Sequence, residues 1–156
     1  MKLWRIAAAT RQYRADDISG LGAAKSPGRW NGAGVAVVYS AQTISLAVLE
    51  TAAHIDDGGL PLNRYLVEIN IPDEVWALRE QTTLSDLPLT WSAIPAGHAS
   101  VAVGSAWLAS LRSPVLLVPS VVVPEESVSL INPLHPASAK ITAGVVRPFE
   151  YNRLFR

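Results

Sequence analysis

Glu50 is the residue whose chemistry sits least easily with its surroundings. It is the only acid between residues 18 and 55, and it falls inside an apolar stretch. A carboxylate among apolar side chains is costly unless it is paired or hydrogen-bonded. Two readings follow. Either Glu50 lies on the one exposed edge of a helix, or it is a pocket acid whose ionisation is tuned by its neighbours. Arg29 is the second candidate, in Gly28-Arg29-Trp30-Asn31-Gly32. Glycines let backbone approach a ligand closely. Arg and Asn offer donors to phosphate, and Trp offers a flat face to a heteroaromatic ring. The same five residues also suit an ordinary surface turn. Ser120 follows an apolar run and Pro119, which sets it at a strand end, as an active-site group or a turn serine. No Gly-x-Ser-x-Gly elbow surrounds it, which disfavours acyl transfer. Tyr39 closes another apolar run, as a pocket ring or as core packing.

Other chemistries are disfavoured. The three histidines, His54, His98 and His135, form no His-x-x-x-His pair, and the chain has no Cys to assist them, so no metal site is expected. His54 lies one helical turn after Glu50, within reach on a helix surface. Neither a Walker loop nor a Gly-x-Gly-x-x-Gly after a strand is present, which disfavours conventional nucleotide hydrolysis and Rossmann dehydrogenation.

These side chains need elements to position them. Residues 20–34 read as a Gly-rich loop too irregular for a helix. Residues 35–39, VAVVY, read as a strand buried on both faces. Thr43 suits an N-cap. After it, Ile44, Ala47, Val48, Thr51, Ala52 and Ile55 follow helical spacing, with Leu46, Leu49 and Ala53 on the other sides. That pattern predicts a helix buried nearly all round, stopped by Asp57-Gly58-Gly59. Residues 64–71 alternate Tyr65, Val67, Ile69 and Ile71 on one strand face, ended by Pro72. Residues 81–98 are polar and broken by prolines. Residues 99–111 predict a second helix, with Val103, Ala106, Trp107 and Ser110 on one face. Residues 115–118, 121–123 and 127–131 are short strand candidates. The tail, residues 149–156, is basic and aromatic. The sum is a mixed α+β domain with several short strands and two clear helices.

The 156 residues fit one domain. Hydrophobic residues make up 49% and charged ones 17%, enough for a packed core. No apolar run approaches the ~20 residues of a bilayer span. The basic, quickly interrupted start does not read as a signal peptide. A soluble, cytoplasmic protein without membrane contact is therefore the expectation, and direct nucleic-acid contact is disfavoured because 13 basic residues balance 13 acidic ones. The balance hides an asymmetry. Residues 1–31 carry six basic and two acidic residues, whereas residues 50–86 carry two basic and eight acidic ones. Ten of the thirteen cations are Arg, whose planar fork suits phosphates and carboxylates. A basic N-terminal third facing an anionic small molecule is one reading. Genomic base composition is the other.

An ordered set of segments adds to this reading. Trp4-Arg5-Ile6, Gly28-Arg29-Trp30-Asn31, Val38-Tyr39, Ser45-Leu46-Ala47-Val48-Leu49-Glu50, Val118-Pro119-Ser120 and Ile131-Asn132-Pro133-Leu134-His135-Pro136 occur in this order. The set resembles the RES domain family, named for an Arg, a Glu and a Ser, and a RES domain over residues 1–156 is the expectation. In this chain the three match Arg29, Glu50 and Ser120. The family's pocket tyrosine matches Tyr39, and Arg5 matches a further basic position. Pro27 stands where a second Gly is common, and Phe149-Glu150-Tyr151-Asn152-Arg153-Leu154 stands where an Asp-Pro-Arg is frequent. Neither departure touches the four matched residues.

The resemblance implies a single α+β domain with a split, twisted β core, similar to ADP-ribosyltransferases of the diphtheria-toxin type and holding NAD in a cleft. It implies the toxin half of a toxin–antitoxin pair, blocked by an Xre-type helix-turn-helix antitoxin that supplies any DNA contact. On this reading Arg29 and Arg5 grip the pyrophosphate, and Tyr39 stacks on nicotinamide or ribose. Glu50 holds a ribose hydroxyl and offsets an oxocarbenium-like cation, Ser120 orients ribose or nicotinamide, and Asn31 and Asn132 sit at the pocket rim. The acceptor of the ADP-ribosyl group is water, phosphate or a protein side chain. The absence of an obvious second acid favours NAD destruction over protein modification. A non-catalytic module that binds a nucleotide or a partner in the same cleft is the alternative from a different class.

Overall fold

A computed structural model describes residues 1–155. Strand β1 (Lys2–Ala8) leads through a short helix α1 (Leu21–Lys25) to β2 (Val38–Ala41) and helix α2 (Ile44–Ala52). Then come β3 (Arg64–Asn70), the single turn α3 (Asp73–Trp76), the short β4 (Glu80–Gln81) and the long helix α4 (His98–Ser110). β5 (Val115–Pro119), β6 (Ser127–Ile131) and β7 (Thr142–Phe149) complete one sheet in the order β4-β5-β6-β2-β1-β3-β7. All pairings are antiparallel except that of β4 with β5.

The sheet is joined in the middle by very little. β1 and β3 pair along seven residues, and β2 and β6 along four, yet β1 meets β2 only where Trp4 faces Ala41. Beyond that pair the two strands part. The expected α+β domain with a split β core is therefore observed, and the split opens between Arg5 on one side and Tyr39 on the other.

Alternation decides the packing. Val115 and Leu117 of β5 enter one core with Leu3, Val67 and Ile69, whereas Leu116 and Val118 enter a second core with Trp30, Trp91 and Trp107. A run buried on both faces must be apolar throughout, which is why residues 115–118 show no polar alternation. α2 covers the joint itself: Leu46 and Ala47 pack with Ala41 and Trp4. No helix is long and apolar enough to cross a membrane among the described residues.

Several expectations need correction. α2 is not buried nearly all round: Ile44 and Leu49 face solvent, because the helix covers the sheet on one side only and ends at Ala52. Residues 20–34 do contain a helical turn, α1, entered through Gly20 at φ 77. α4 buries Ser100, Gly104, Trp107 and Leu108, a face rotated from the expected one. Gly104 explains this rotation, since only a residue without a side chain lets the Trp30 backbone press on the helix. Residues 121–123 form no strand, because the amides of Val122 and Val123 bond the Ser120 hydroxyl instead of a ladder. β7 went unpredicted; as a largely exposed edge strand it shows little alternation, and pairing with β3 creates it.

A Cβ at position 104 would lie 1.8 Å from the Trp30 carbonyl oxygen. Gly104→Ala is expected to cost roughly 3 kcal/mol of stability, as overpacking against backbone does. The check is a lowered urea midpoint followed by tryptophan fluorescence.

Candidate functional site in the split sheet

Each candidate side chain is placed by a different element. α2 begins where the Thr43 Oγ1 accepts the Leu46 amide at 3.1 Å, the expected N-cap. The helix carries Glu50 on its second turn, half-buried. Ser120 follows the last residue of β5 and is fully buried. Its Oγ accepts the amides of Val122 and Val123 at 3.1 and 2.9 Å. That leaves its proton one direction, and it donates to Glu50 Oε1 at 2.5 Å. Among the described residues Glu50 Oε2 accepts no hydrogen bond. The Glu50 carboxylate is thus held at one oxygen and open at the other.

Arg29 is fixed from the opposite side. Its Nη1 donates to the carbonyls of Trp91 and Ala93, both at 2.8 Å. A guanidinium has five N–H donors in a fixed fork, so Nε and Nη2 remain to hold an anion. Burial pulls the Arg29 pKa down, while Glu50 and Tyr39 pull it back up through charge. Arg29, Tyr39 and Glu50 therefore share one electrostatic neighbourhood.

Tyr39 is anchored at its hydroxyl, which accepts the Trp30 amide at 2.9 Å and donates to Asn31 Oδ1 at 2.7 Å. Gly28 lies against its ring; a Cβ there would fall 2.7 Å from the ring carbon bearing the hydroxyl. Asn31 is wholly buried, and its amide is consumed locally. Oδ1 also accepts the Gly28 amide, and Nδ2 donates to the carbonyls of Ala23, Gly32 and Val35. It fixes Tyr39 and the loop together.

Arg5 stands across the split, its Nη1 donating to the Asp17 carbonyl at 3.3 Å. Burial lowers its pKa, against Asp17 and Tyr13, which raise it. Arg5 and Tyr39 line one cavity of about 240 Å³ with Tyr13, Arg14 and Asp17. Asn132 is not brought to this group. It is buried at the far end of β5, where its amide nitrogen donates to Leu108 and its oxygen accepts from Leu134. His54 lies exposed beyond the end of α2, with no hydrogen bond to Glu50 among the described residues. Among those residues no three metal-binding side chains cluster. A larger groove, about 820 Å³, runs between Asp16 and His135 and contains none of the expected site residues.

Sequence reading missed five contributors. The carbonyls of Trp91 and Ala93 and the amides of Val122 and Val123 act through backbone, which residue type does not reveal. Asp17 had a signal, as one of two acids in a basic segment.

A family model described as the RES domain matches residues 2–152. A protein of Sphingobium sp. (strain YBL2) named "Prs ADP-ribosylating toxin" is 55% identical over 149 residues, covering 96% of this chain and 92% of that protein. A "Toxin Res" of Yersinia enterocolitica is 40% identical over 136 residues, covering 86% of each. The toxin–antitoxin complex MbcT–MbcA of M. tuberculosis contains a chain of the same fold, with TM-score 0.66 at 18% identity over 94% of this chain and 84% of that one.

Burial pushes the Tyr39 hydroxyl up to about 12 from an ordinary 10.0, against the Trp30 amide and Arg29, which pull it down. The folded state thus keeps a proton that the unfolded chain releases. Its contribution is complete below the unfolded value and is lost as pH rises through the folded one. The urea midpoint is expected to fall between pH 10 and about 12, with Tyr39→Phe flattening part of that slope. An unchanged slope in the variant would exclude this account.

Proposed function

Because the chain belongs to the RES domain family, we propose that it is the toxin of a toxin–antitoxin pair and transfers the ADP-ribosyl group of NAD to a protein. The observation that carries the chemistry is the Glu50 carboxylate, held at one oxygen by Ser120 and open at the other, in one electrostatic neighbourhood with Arg29 and Tyr39. Cleavage breaks the bond between ribose C1 and the nicotinamide nitrogen. The electron pair leaves with neutral nicotinamide, and positive charge develops on the ribose. A fixed carboxylate stabilises that charge without reorganising, and Glu50 Oε2 also accepts a ribose hydroxyl. The free nitrogens of Arg29, with Arg5 across the split, hold the pyrophosphate. The Tyr39 ring presents its face to nicotinamide or ribose. Its hydroxyl is spent on Trp30 and Asn31 and stays protonated, so it is no proton carrier.

The hydrogen bonds support other roles for three residues than those expected from the sequence. Ser120 orients Glu50 rather than the substrate, since its three hydrogen bonds are all made inside the protein. Asn31 and Asn132 are positioning and packing residues rather than a pocket rim.

The order of acceptors also changes. Support for a protein acceptor comes from the name of the Sphingobium relative, which is similar along nearly all of both chains. NAD destruction by water or phosphate stays as the second reading, favoured by Glu50 being, among the described residues, the only carboxylate whose charge acts on Arg29. A helix-turn-helix antitoxin of the Xre type is the proposed partner, covering the split.

The test is labelled NAD with purified protein, with and without Prs, the acceptor that the Sphingobium relative's name gives, and with and without inorganic phosphate, products resolved by mass. Labelled Prs supports transfer. ADP-ribose or its phosphate alone supports destruction, and NAD bound but unconsumed supports a non-catalytic module. Glu50→Gln is expected to lose at least about 10²-fold in turnover, typical of removing one oriented charge, at unchanged melting temperature. Ser120→Ala removes three hydrogen bonds, freeing Glu50 to rotate and leaving the Val122 and Val123 amides without this acceptor; it is expected to lose less turnover, about tenfold, and to melt at a lower temperature. Near-full activity of Glu50→Gln would rule out its role.

A further inference from the structure

Arg29 is aimed by two carbonyls, and a carbonyl stands only where its loop is held. Among the described residues, the oxygens of Trp91 and Ala93 are the only acceptors of Arg29 hydrogen bonds. Both belong to residues 88–96, a stretch with one anchor. Residues 88–90 and 92–96 are all exposed, and Trp91 between them is buried. The Trp91 amide donates to the Pro88 carbonyl at 2.9 Å, and the Ala93 amide to the Thr90 carbonyl at 3.1 Å. Those bonds shape the turns of the stretch but do not attach it to the sheet. The attachment is the Trp91 ring, which enters the second core and stacks on Trp30, ring centres 6.0 Å apart at 22°. Trp30 is a firm base. It is buried, its amide donates to the Tyr39 hydroxyl at 2.9 Å, and its backbone presses on α4 at Gly104. Trp30 is also the next residue after Arg29. The two loops are thus joined twice, ring on ring and guanidinium on carbonyl.

We propose that Trp91 is a positioning residue for NAD binding, whose ring, stacked on Trp30, places the carbonyls that aim Arg29. The proposal rests on the reading above in which Arg29 holds the pyrophosphate. A guanidinium is planar, so fixing Nη1 at two acceptors also sets the direction of Nε and Nη2. A free arginine side chain loses much rotamer entropy when a ligand orders it. A clamp made before binding removes that loss from the affinity. The carbonyls belong to the backbone and survive any substitution at position 91. What a substitution changes is where they stand. A second aromatic ring keeps the stack, whereas an aliphatic side chain fills space without the preferred ring-on-ring geometry.

The test is a double-mutant cycle read as binding affinity. Carba-NAD, whose carbocyclic ring cannot form the ribosyl cation, is titrated by calorimetry into wild type, Trp91→Leu, Arg29→Ala and the double variant. Circular dichroism establishes that each is folded at the titration temperature, and Trp91→Met takes the place of Trp91→Leu if the latter does not fold. Trp91→Leu is expected to weaken binding about tenfold in the presence of Arg29, within the range of coupled neighbours, and to add nothing once Arg29 is Ala. Trp91→Phe is expected to restore most of the affinity. A purely structural role would lower the melting temperature without changing the affinity of the folded protein, or would weaken binding equally in both backgrounds. Either result overturns the proposal. Arg29→Ala that binds as tightly as wild type, or wild type that does not bind carba-NAD, would sink the pyrophosphate reading itself, and this proposal with it.

Discussion

One residue pair, Trp4 opposite Ala41, joins the two halves of the sheet, and the candidate chemistry depends on how little it joins. A continuous ladder between β1 and β2 would close the sheet and leave no cleft. A complete separation would leave two small sheets with no common reference. A single pair does neither. It lets the strands diverge, so that Arg5 and Tyr39 face one another across a gap. α2 is seated on the same joint through Leu46 and Ala47, so the helix bearing Glu50 is referenced to the point where the halves meet.

The charged and polar groups of the cleft are fixed mainly by backbone. Arg29 is held by two carbonyls, Ser120 by two amides and Tyr39 by the Trp30 amide. A group fixed in this way keeps its remaining donors or acceptors aimed while the site is empty. Preorganisation of that kind is where enzymes gain most of their electrostatic stabilisation. It also explains the glycines. Gly28 admits the Tyr39 ring, and Gly104 admits the Trp30 backbone, so both act by making room for the framework of the cleft.

The types of the cleft residues were readable in the sequence because they break local rules. Glu50 is a lone acid in an apolar helix, and Arg29 lies among glycines in a basic segment. The strand of residues 64–71 was readable because Val67, Ile69 and Ile71 are buried on one face while Glu68 and Asn70 on the other stay accessible, with Leu66 the one buried residue of that second face. α2 was over-read: its apolar residues continue round the helix, yet Ile44 and Leu49 face solvent. β7 was not readable, since its partner β3 determines it more than its own pattern does.

By itself the sequence determined a mixed α+β domain, a capped helix carrying a lone carboxylate, and a family pattern naming Arg29, Glu50 and Ser120. These follow from residue type, periodicity and order along the chain. Only the tertiary structure decided what those residues do to one another. Seventy residues separate Ser120 from Glu50, and sixty-two separate Arg29 from the Trp91 carbonyl that holds it. Contacts at such separations arise from how strands pair and where a sheet parts. They made Ser120 a support for Glu50 and Asn31 a clamp on Tyr39, because these buried polar atoms found their partners nearby in space rather than along the chain.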